Sequence, residues 1–427
     1  MENQNLSLKK ILEEKSRINS ESKPIIFNLK NQKDCLSLEA LFKQNKIQQV
    51  SDDYKEQQRE LFAVNNPALV YTSEFQQKFQ EYFNSLTAKE PLWQQGHWIY
   101  FPWLSTLTHL LEDQDFQKVR TARNRNLITQ KEQEVFYNSV IGIGGLSVGN
   151  SVVLSIVLQG GGKHFRIADH DALALSNLNR IRAGIESLGL KKVEMTARQI
   201  YALNPYATVE IFPDGLTKDN LEKFFAGPPK LDIVIDELDT MGIKLLIREK
   251  AKKYNIAVAM GADNGDNIIV DIERYDLNPE TKHFHDRLGA VTYEELSGLD
   301  KFGIGKTITK FLGPENITER MQQSLLEMGK TIVSWPQLGG AALLNGVAVA
   351  YCVRKILNKE QLESNRAIIS LDEHLIPEYD SQSEKDYRTF VKSVMENALA
   401  VSKPDAHVFF WCDERWSQRR AICQSES

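Results

Sequence analysis

Ser139-Val-Ile-Gly142-Ile-Gly144-Gly145-Leu-Ser147-Val-Gly149 is an apolar run of strand length that breaks into glycines and continues as the apolar helical stretch Val148–Gln159. The next apolar run, His164–Ala168, ends in Asp169, about 20 residues beyond the last glycine. Strand, glycine turn, helix, strand and acid in that order form a dinucleotide-binding arrangement. Glycines let backbone approach a phosphate at a helix N-terminus, and a carboxylate at the tip of the second strand can accept hydrogen bonds from ribose hydroxyls. Ser147 stands where the third glycine of such loops usually falls.

Working outward, strand-length apolar runs alternate with amphipathic stretches. Strands are expected at Ser139–Ile143, His164–Ala168, Thr208–Phe212, Leu231–Ile235 and Ile256–Met260, with helices at Val148–Gln159, Lys191–Leu203 and Met241–Tyr254. This alternation predicts an α/β fold, a Rossmann-like, mostly parallel sheet with crossover helices. Asn267–Tyr275 adds a strand at the sheet edge, Asp276–Ser334 reads as a polar, irregular connection, and Gly340–Ile356 as an apolar helix with a basic end. Residues 1–115 read as a small α+β accessory domain, 116–360 as the nucleotide-binding domain, and 361–427 as a C-terminal extension. The extension holds a helix near Lys385–Ala400 and a strand candidate at His407–Cys412. The aromatic-rich segment Trp93–Trp103 suits core packing better than docking.

The chain has 427 residues, 42% of them hydrophobic, enough for a large core and more than one structural unit. A net charge of -5 argues against a dominant polyanion-binding surface, so nucleic acid is not an expected partner. The first residues hold no apolar signal core, and a cytoplasmic location is expected. Ser139–Gly162 is uncharged and long enough to span a membrane, but its seven glycines fit a buried strand, turn and helix, and no membrane partner is expected. Cys35, Cys352, Cys412 and Cys423 contain no Cys-x-x-Cys pair and fit neither a disulfide framework nor a zinc clasp.

The choice of nucleotide is decided by the residues after Asp169, namely His170-Asp171-Ala-Leu-Ala-Leu-Ser176-Asn177-Leu-Asn179-Arg180. Asp-x-Asp followed by Ser-Asn-Leu-x-Arg, beside a Gly-x-Gly-Gly loop, resembles the ThiF/MoeB and ubiquitin-activating adenylyltransferase superfamily. Gly189-Leu-Lys191-Lys192-Val193, Asn204-Pro205, Asp232-Ile-Val-Ile-Asp236-Glu-Leu-Asp239 and Val258-Ala-Met-Gly261-Ala262 are similar to further family segments, in the family's order. The resemblance implies an ATP- and Mg2+-dependent enzyme that activates a carboxylate as an acyl-adenylate, at the C-terminus of a peptide or small ubiquitin-like protein, and works as a homodimer. It also implies the site: the loop glycines Gly142, Gly144 and Gly145; Asp169 at the ribose, with Asp171 as a further nucleotide-binding residue; Asn177, Arg180 and Lys192 on the phosphates; Asp239 at the magnesium. Arg125, in Arg123-Asn124-Arg125-Asn126-Leu127, would reach in from a second subunit. The chemistry wants these residue types, because one anion must approach another and pyrophosphate must leave with its charge neutralised. No protein base is needed, since the attacking carboxylate is ionised at neutral pH.

Competing readings sit beside each residue. Asp236 shares the strand end with Asp239, Lys191 adjoins Lys192, and Arg120 and Arg123 lie near Arg125. The glycine loop and Asp169 alone would also serve an NAD(P)-binding oxidoreductase, and the fold alone would serve a non-catalytic partner of a ubiquitin-like protein. Residues 263–334 hold no cysteine for a thioester, which departs from ubiquitin activators, and the family's zinc cysteines are absent; of the four thiols, only Cys412 suits a reactive position. Gly303-Ile-Gly305-Lys306-Thr307 superficially resembles a phosphate-binding loop, but no apolar strand leads into it, and it reads as a surface turn.

Overall fold

The computed structural model describes residues 2–15 and 19–400; the strand expected at His407–Cys412, and Cys423, lie outside the described residues. Strands β1 (Ile25–Phe27), β2 (Gln49–Ser51), β3 (His97–Phe101) and β4 (Thr106–Leu110) form a four-stranded sheet in the order β1-β3-β4-β2. Strands β5 (Val140–Gly144), β6 (His164–Ala168), β7 (Thr208–Phe212), β8 (Ile233–Asp236), β9 (Ala257–Asn264), β10 (Asn267–Glu273) and β11 (Asn365–Ile369) form a seven-stranded sheet in the order β11-β10-β9-β8-β5-β6-β7. The fold is the expected α/β class, and every strand anticipated up to residue 275 is present within a few residues of its expected bounds. By its internal contacts the chain forms two compact units: residues 1–141, 153–178 and 183–215, and residues 142–152, 179–182 and 216 onward.

In the first unit the small sheet packs with helix Gln32–Lys43 over a core of Phe27, Leu38, Trp98, Tyr100 and Leu107. The aromatic segment therefore serves largely as core, although Trp93 is exposed. His109 is fully buried and lies between the Tyr54 and Trp98 rings, with centroids 4.0 and 4.2 Å away. Helix Gln130–Asn138 starts on a capping box in which Thr129 accepts from the Glu132 backbone and Glu132 accepts from that of Thr129. A polar knot ties this stretch to later chain. Asp113 accepts from Lys163 at 2.8 Å and from the Tyr137 hydroxyl at 2.7 Å, Gln117 donates to Asn204 at 2.9 Å, and Arg120 donates to the Val157 carbonyl at 2.7 Å. Strands β6 and β7 pair in parallel, and helix Lys192–Leu203 connects them.

In the second unit β8 and β9 are parallel, while β10 runs antiparallel to both β9 and β11. The β9–β10 hairpin turns through Gly265, whose φ of +71° suits glycine. Strand β10 is therefore an interior strand, not the expected edge. β11 left little signal because Ile368 and Ile369 are exposed, so no apolar alternation marks it. The connection after β10 is not irregular: helices Tyr293–Ser297, Lys301–Leu312 and Glu319–Glu327 bury Leu296, Phe311, Leu312 and Met321 against Met241, Leu245 and Phe284. Ile304, Ile308, Phe311 and Leu312 carry the helical spacing of this core, interrupted in the sequence by Gly303, Gly305 and Gly313. Gly303–Thr307 falls inside the second of these helices and is no surface turn.

Phe284, His285 and Asp286 all take positive φ, a conformation costing on the order of 1–3 kcal/mol each outside glycine. The surroundings fix them: the Phe284 N–H donates to Glu273 at 2.7 Å, His285 lies 2.8 Å from Asp271, and the Arg248 guanidinium sits 4.2 Å from the Phe284 ring. Helix Gly339–Leu357 packs on β9 and β10. Among the described residues it is the one helix long and apolar enough to cross a membrane, and 56% of its most apolar stretch is buried within the protein, as in a core helix.

Behind β8 lies a closed set of charges. Arg248 Nη1 is 2.6 Å from Asp236 and its Nε is 2.7 Å from Glu273, and all three side chains are buried. Lys244 adds a second cation 3.2 Å from Asp236. Burial pushes the Asp236 carboxyl up, but Lys244 and Arg248 more than reverse this and hold it below its ordinary value. Arg248→Ala would leave buried Glu273 without its cation and Asp236 with Lys244 alone, and its unfolding free energy in denaturant titration should fall by about 3–5 kcal/mol. Lys253→Ala, at an exposed pair with Glu222, should leave it nearly unchanged.

Candidate functional site

In the first unit, β6 delivers Asp169 at its C-terminal end, where parallel sheets bind their ligands. Asp169 is 6% exposed and accepts the Asp171 backbone N–H at 2.8 Å, which turns the chain sharply after the strand. Lys192, 5% exposed at the start of its helix, puts Nζ 2.7 Å from Asp171 Oδ2 and 3.8 Å from Asp169 Oδ2. Lys191 points elsewhere, donating to the Pro213 carbonyl at 2.8 Å. The two lysines are thus told apart by direction. Although burial works against it, the Lys192 hydrogen bond and charge bring Asp171 below its ordinary carboxylate value.

Asn177 ends a short 3-10 turn and accepts the Ala174 N–H at 3.0 Å. Asp169, His170 and Asp171 bring one ligand atom each within 4.8 Å of the others, a set that could hold a metal ion, though the Lys192 ammonium already supplies a cation to two of them. Arg125 follows the turn Ala122–Asn124 and lines a cavity of about 610 Å³ shared with Asp113, Gln117, Tyr137 and Lys163.

In the second unit, the glycines have distinct local reasons. Gly142 is inside β5, where a Cβ would lie 2.6 Å from Leu231 and 2.9 Å from Phe224, so its smallness serves packing. Gly145 has φ +88°, and a Cβ there would run into the Glu237 carbonyl oxygen. The Glu237 N–H donates to the Gly144 carbonyl at 2.8 Å, which fastens the glycine loop to the end of β8. Asp236 and Asp239 separate cleanly. Asp236 is spent on the buried charges behind the strand, whereas Asp239 is exposed beyond the strand end. Glu237 accepts the Gly261 N–H at 2.9 Å, and desolvation pushes its carboxyl well above the ordinary value.

Arg180 reaches the glycine loop directly: Nε donates to Ser147 Oγ at 3.0 Å and Nη1 to Asn179 Oδ1 at 2.9 Å. Burial lowers its pKa, and the charges of Asp263 and Asp239 oppose that shift. Asp263, on β9, is 6% exposed and accepts from Asn345 at 3.3 Å and Gln337 at 3.4 Å. Asp263, Asn345, Gln337 and Asn179 were not among the residues expected at the site. The available signals were an acid at a parallel strand's C-terminal end and a lone amide, Asn345, inside an apolar helix.

Burial pushes the Asp263 carboxyl up from its ordinary 3.8 to about 6. The folded protein then holds this proton more tightly than the unfolded chain does. Asp263 contributes most favourably below pH 3.8, and that contribution is lost as pH rises through about 6. Asp263→Asn should therefore be more stable than the parent at pH 8, by on the order of 1–3 kcal/mol, with no advantage at pH 4 in thermal or denaturant melts.

Residues 121–273 match the ThiF family. The chain is 32% identical over 309 residues to the uncharacterized protein MT1398 of Mycobacterium tuberculosis, a match covering 72% of this chain and 42% of that protein. It is 28% identical over 201 residues to the tRNA threonylcarbamoyladenosine dehydratase of Bacillus subtilis, covering 46% of this chain and 74% of that one. It is 25% identical over 158 residues to the probable molybdopterin-synthase adenylyltransferase of Porphyra purpurea, covering 37% and 40%. The chain thus spans less than half the length of the first and third of these relatives.

Proposed function

With a ThiF family domain over residues 121–273 as the premise, we propose that this chain uses ATP to activate a carboxylate as an acyl-adenylate. The observation that carries the reading is Arg180, seated on Ser147 of the glycine loop and acted on by the charges of Asp239 and Asp263. A triphosphate carries more negative charge than the pyrophosphate of a nicotinamide dinucleotide and gains more from a fixed cation at the glycine loop. Lys192, buried against Asp169 and Asp171, supplies a second fixed cation at a strand end that the family resemblance assigns to ribose and phosphate.

On this reading Asp169 takes the ribose, with Asp171 as a further nucleotide-binding residue, Asn177, Arg180 and Lys192 take the phosphates, and Gly144 and Gly145 let the backbone close on them. The exposed carboxylate of Asp239 is a hard oxygen donor, which fits Mg2+, and the ion when bound would help neutralise the phosphate charge. The substrate carboxylate attacks the α-phosphorus, the bond to the bridging oxygen breaks, and pyrophosphate leaves with both bonding electrons. The substrate is read as the C-terminal carboxylate of a peptide or small ubiquitin-like protein, and the acceptor as an external amine or thiol. Arg125 is read as the residue a second copy supplies in a homodimer.

A thioester on this chain has no support among the described cysteines. Cys352 is buried in helix Gly339–Leu357, and burial pushes its thiol up to about 11. Cys35 is half-buried in the first unit, where its thiol donates to the Leu29 carbonyl at 3.3 Å.

Calorimetric titration with ATP and Mg2+, set against NADH and NADPH, tests the reading. Micromolar ATP binding is expected, weakened about ten-fold or more in Arg180→Ala and in Asp239→Ala, as loss of a charged contact predicts. Binding of a nicotinamide cofactor in place of ATP would move the chain to the oxidoreductases.

A further inference from the structure

Arg180 does not sit on the glycine loop by its own reach alone. Its Nη1 donates to Asn179 Oδ1 at 2.9 Å, and the Asn179 Nδ2 donates to the Gln337 backbone carbonyl at 2.7 Å. The Gln337 side chain donates in turn to Asp263 Oδ2 at 3.4 Å, and the other Asp263 oxygen accepts from the fully buried Asn345 at 3.3 Å. The polar chain thus runs from Ser147 through Arg180, Asn179 and Gln337 to Asp263 on β9, and every member belongs to the second compact unit. Asn179 is the middle of it, because its amide faces two ways, accepting from the arginine and donating to the main chain.

The Asn179 side chain makes two described hydrogen bonds, one to its neighbour Arg180 in the same turn and one to residue 337. An exposed asparagine that only decorated the surface would not bind main chain 158 residues away while also holding a guanidinium. The position Gln337 offers is also well fixed, since it lies just before helix Gly339–Leu357, which packs on β9 and β10. A long arginine side chain loses rotamer freedom when held in one place. A pre-set acceptor that has already fixed the guanidinium removes part of that loss from the binding step.

We propose that Asn179 is a positioning residue: with Gln337 and Asp263 behind it, it presets the Arg180 guanidinium on the glycine loop for the anion of the nucleotide. This rests on the nucleotide reading above and names the residues that tune the same site. Asn179 acts through the arginine and not on the nucleotide, so its removal has an effect only where Arg180 is present to be positioned.

The test is a double-mutant cycle read by calorimetry in the full-length protein, with ATP and, separately, adenosine as probes, and with thermal melts as a fold control. Asn179→Ala should weaken ATP binding about five- to ten-fold, leave adenosine binding within about two-fold, and leave the melting temperature of the protein nearly unchanged. In the Arg180→Ala background the same Asn179→Ala change should move ATP affinity less than about two-fold. Equal losses in both backgrounds, or an equal loss for adenosine, would overturn the positioning role, as would unchanged ATP affinity in Asn179→Ala. If the parent protein binds no ATP at all, the nucleotide reading itself falls and the positioning role with it. If it binds ATP but the cycle is additive, only the positioning role falls.

Discussion

The approach of the glycine loop to the end of β8 is the contact on which the rest of the site depends. Gly145 holds φ at +88° with its Cα against the Glu237 carbonyl, and the Glu237 N–H donates back to Gly144. Any side chain at 145 would have to occupy the carbonyl's place, so the loop and the strand end would part. With them together, Ser147 meets Arg180, Glu237 meets the Gly261 N–H of β9, and Asp239 stands just beyond the same strand end. One glycine conformation therefore determines where three charged side chains can be.

A second constraint is the division of labour between acids close in sequence. Asp236 and Asp239 are three residues apart, yet the first is locked to Arg248 and Lys244 behind the strand while the second is exposed. The buried charges continue through Glu273 to the left-handed turn at Phe284–Asp286. Such a network is costly to bury, and Asp236 and Glu273 each keep a cation at ion-pair distance. Its pairing fixes one end of β8, and it leaves Asp239 as the aspartate of that strand end that faces solvent.

Much of the frame was legible because it is local. The run Ser139–Ile143, the glycines after it and Asp169 lie within one strand–turn–helix–strand unit, and their order announces the fold. Periodicity gave helix Met241–Tyr254 to the residue. The parts that stayed hidden depend on contacts between distant residues. Nothing local distinguishes Lys192 from Lys191; the difference is that one faces Asp171 and the other Pro213. β11 shows no alternation because its isoleucines are exposed, and the helices after β10 are short and interrupted by glycines although they bury Leu296, Phe311, Leu312 and Met321. Asn179, Gln337 and Asp263 meet only through tertiary structure.

The bond from Asn179 to Gln337 spans 158 residues. A contact of that range forms only after the intervening chain has closed its own strands and helices, since the entropy of so large a loop must be offset first. During synthesis the glycine loop, Asp169 and Arg180 leave the ribosome long before residue 337 does. The nascent chain thus exposes a glycine loop and its arginine before the arginine has its support, and the seat is completed only when the start of helix Gly339–Leu357 docks. Completion of the site is in this sense a late report that the second unit has finished folding.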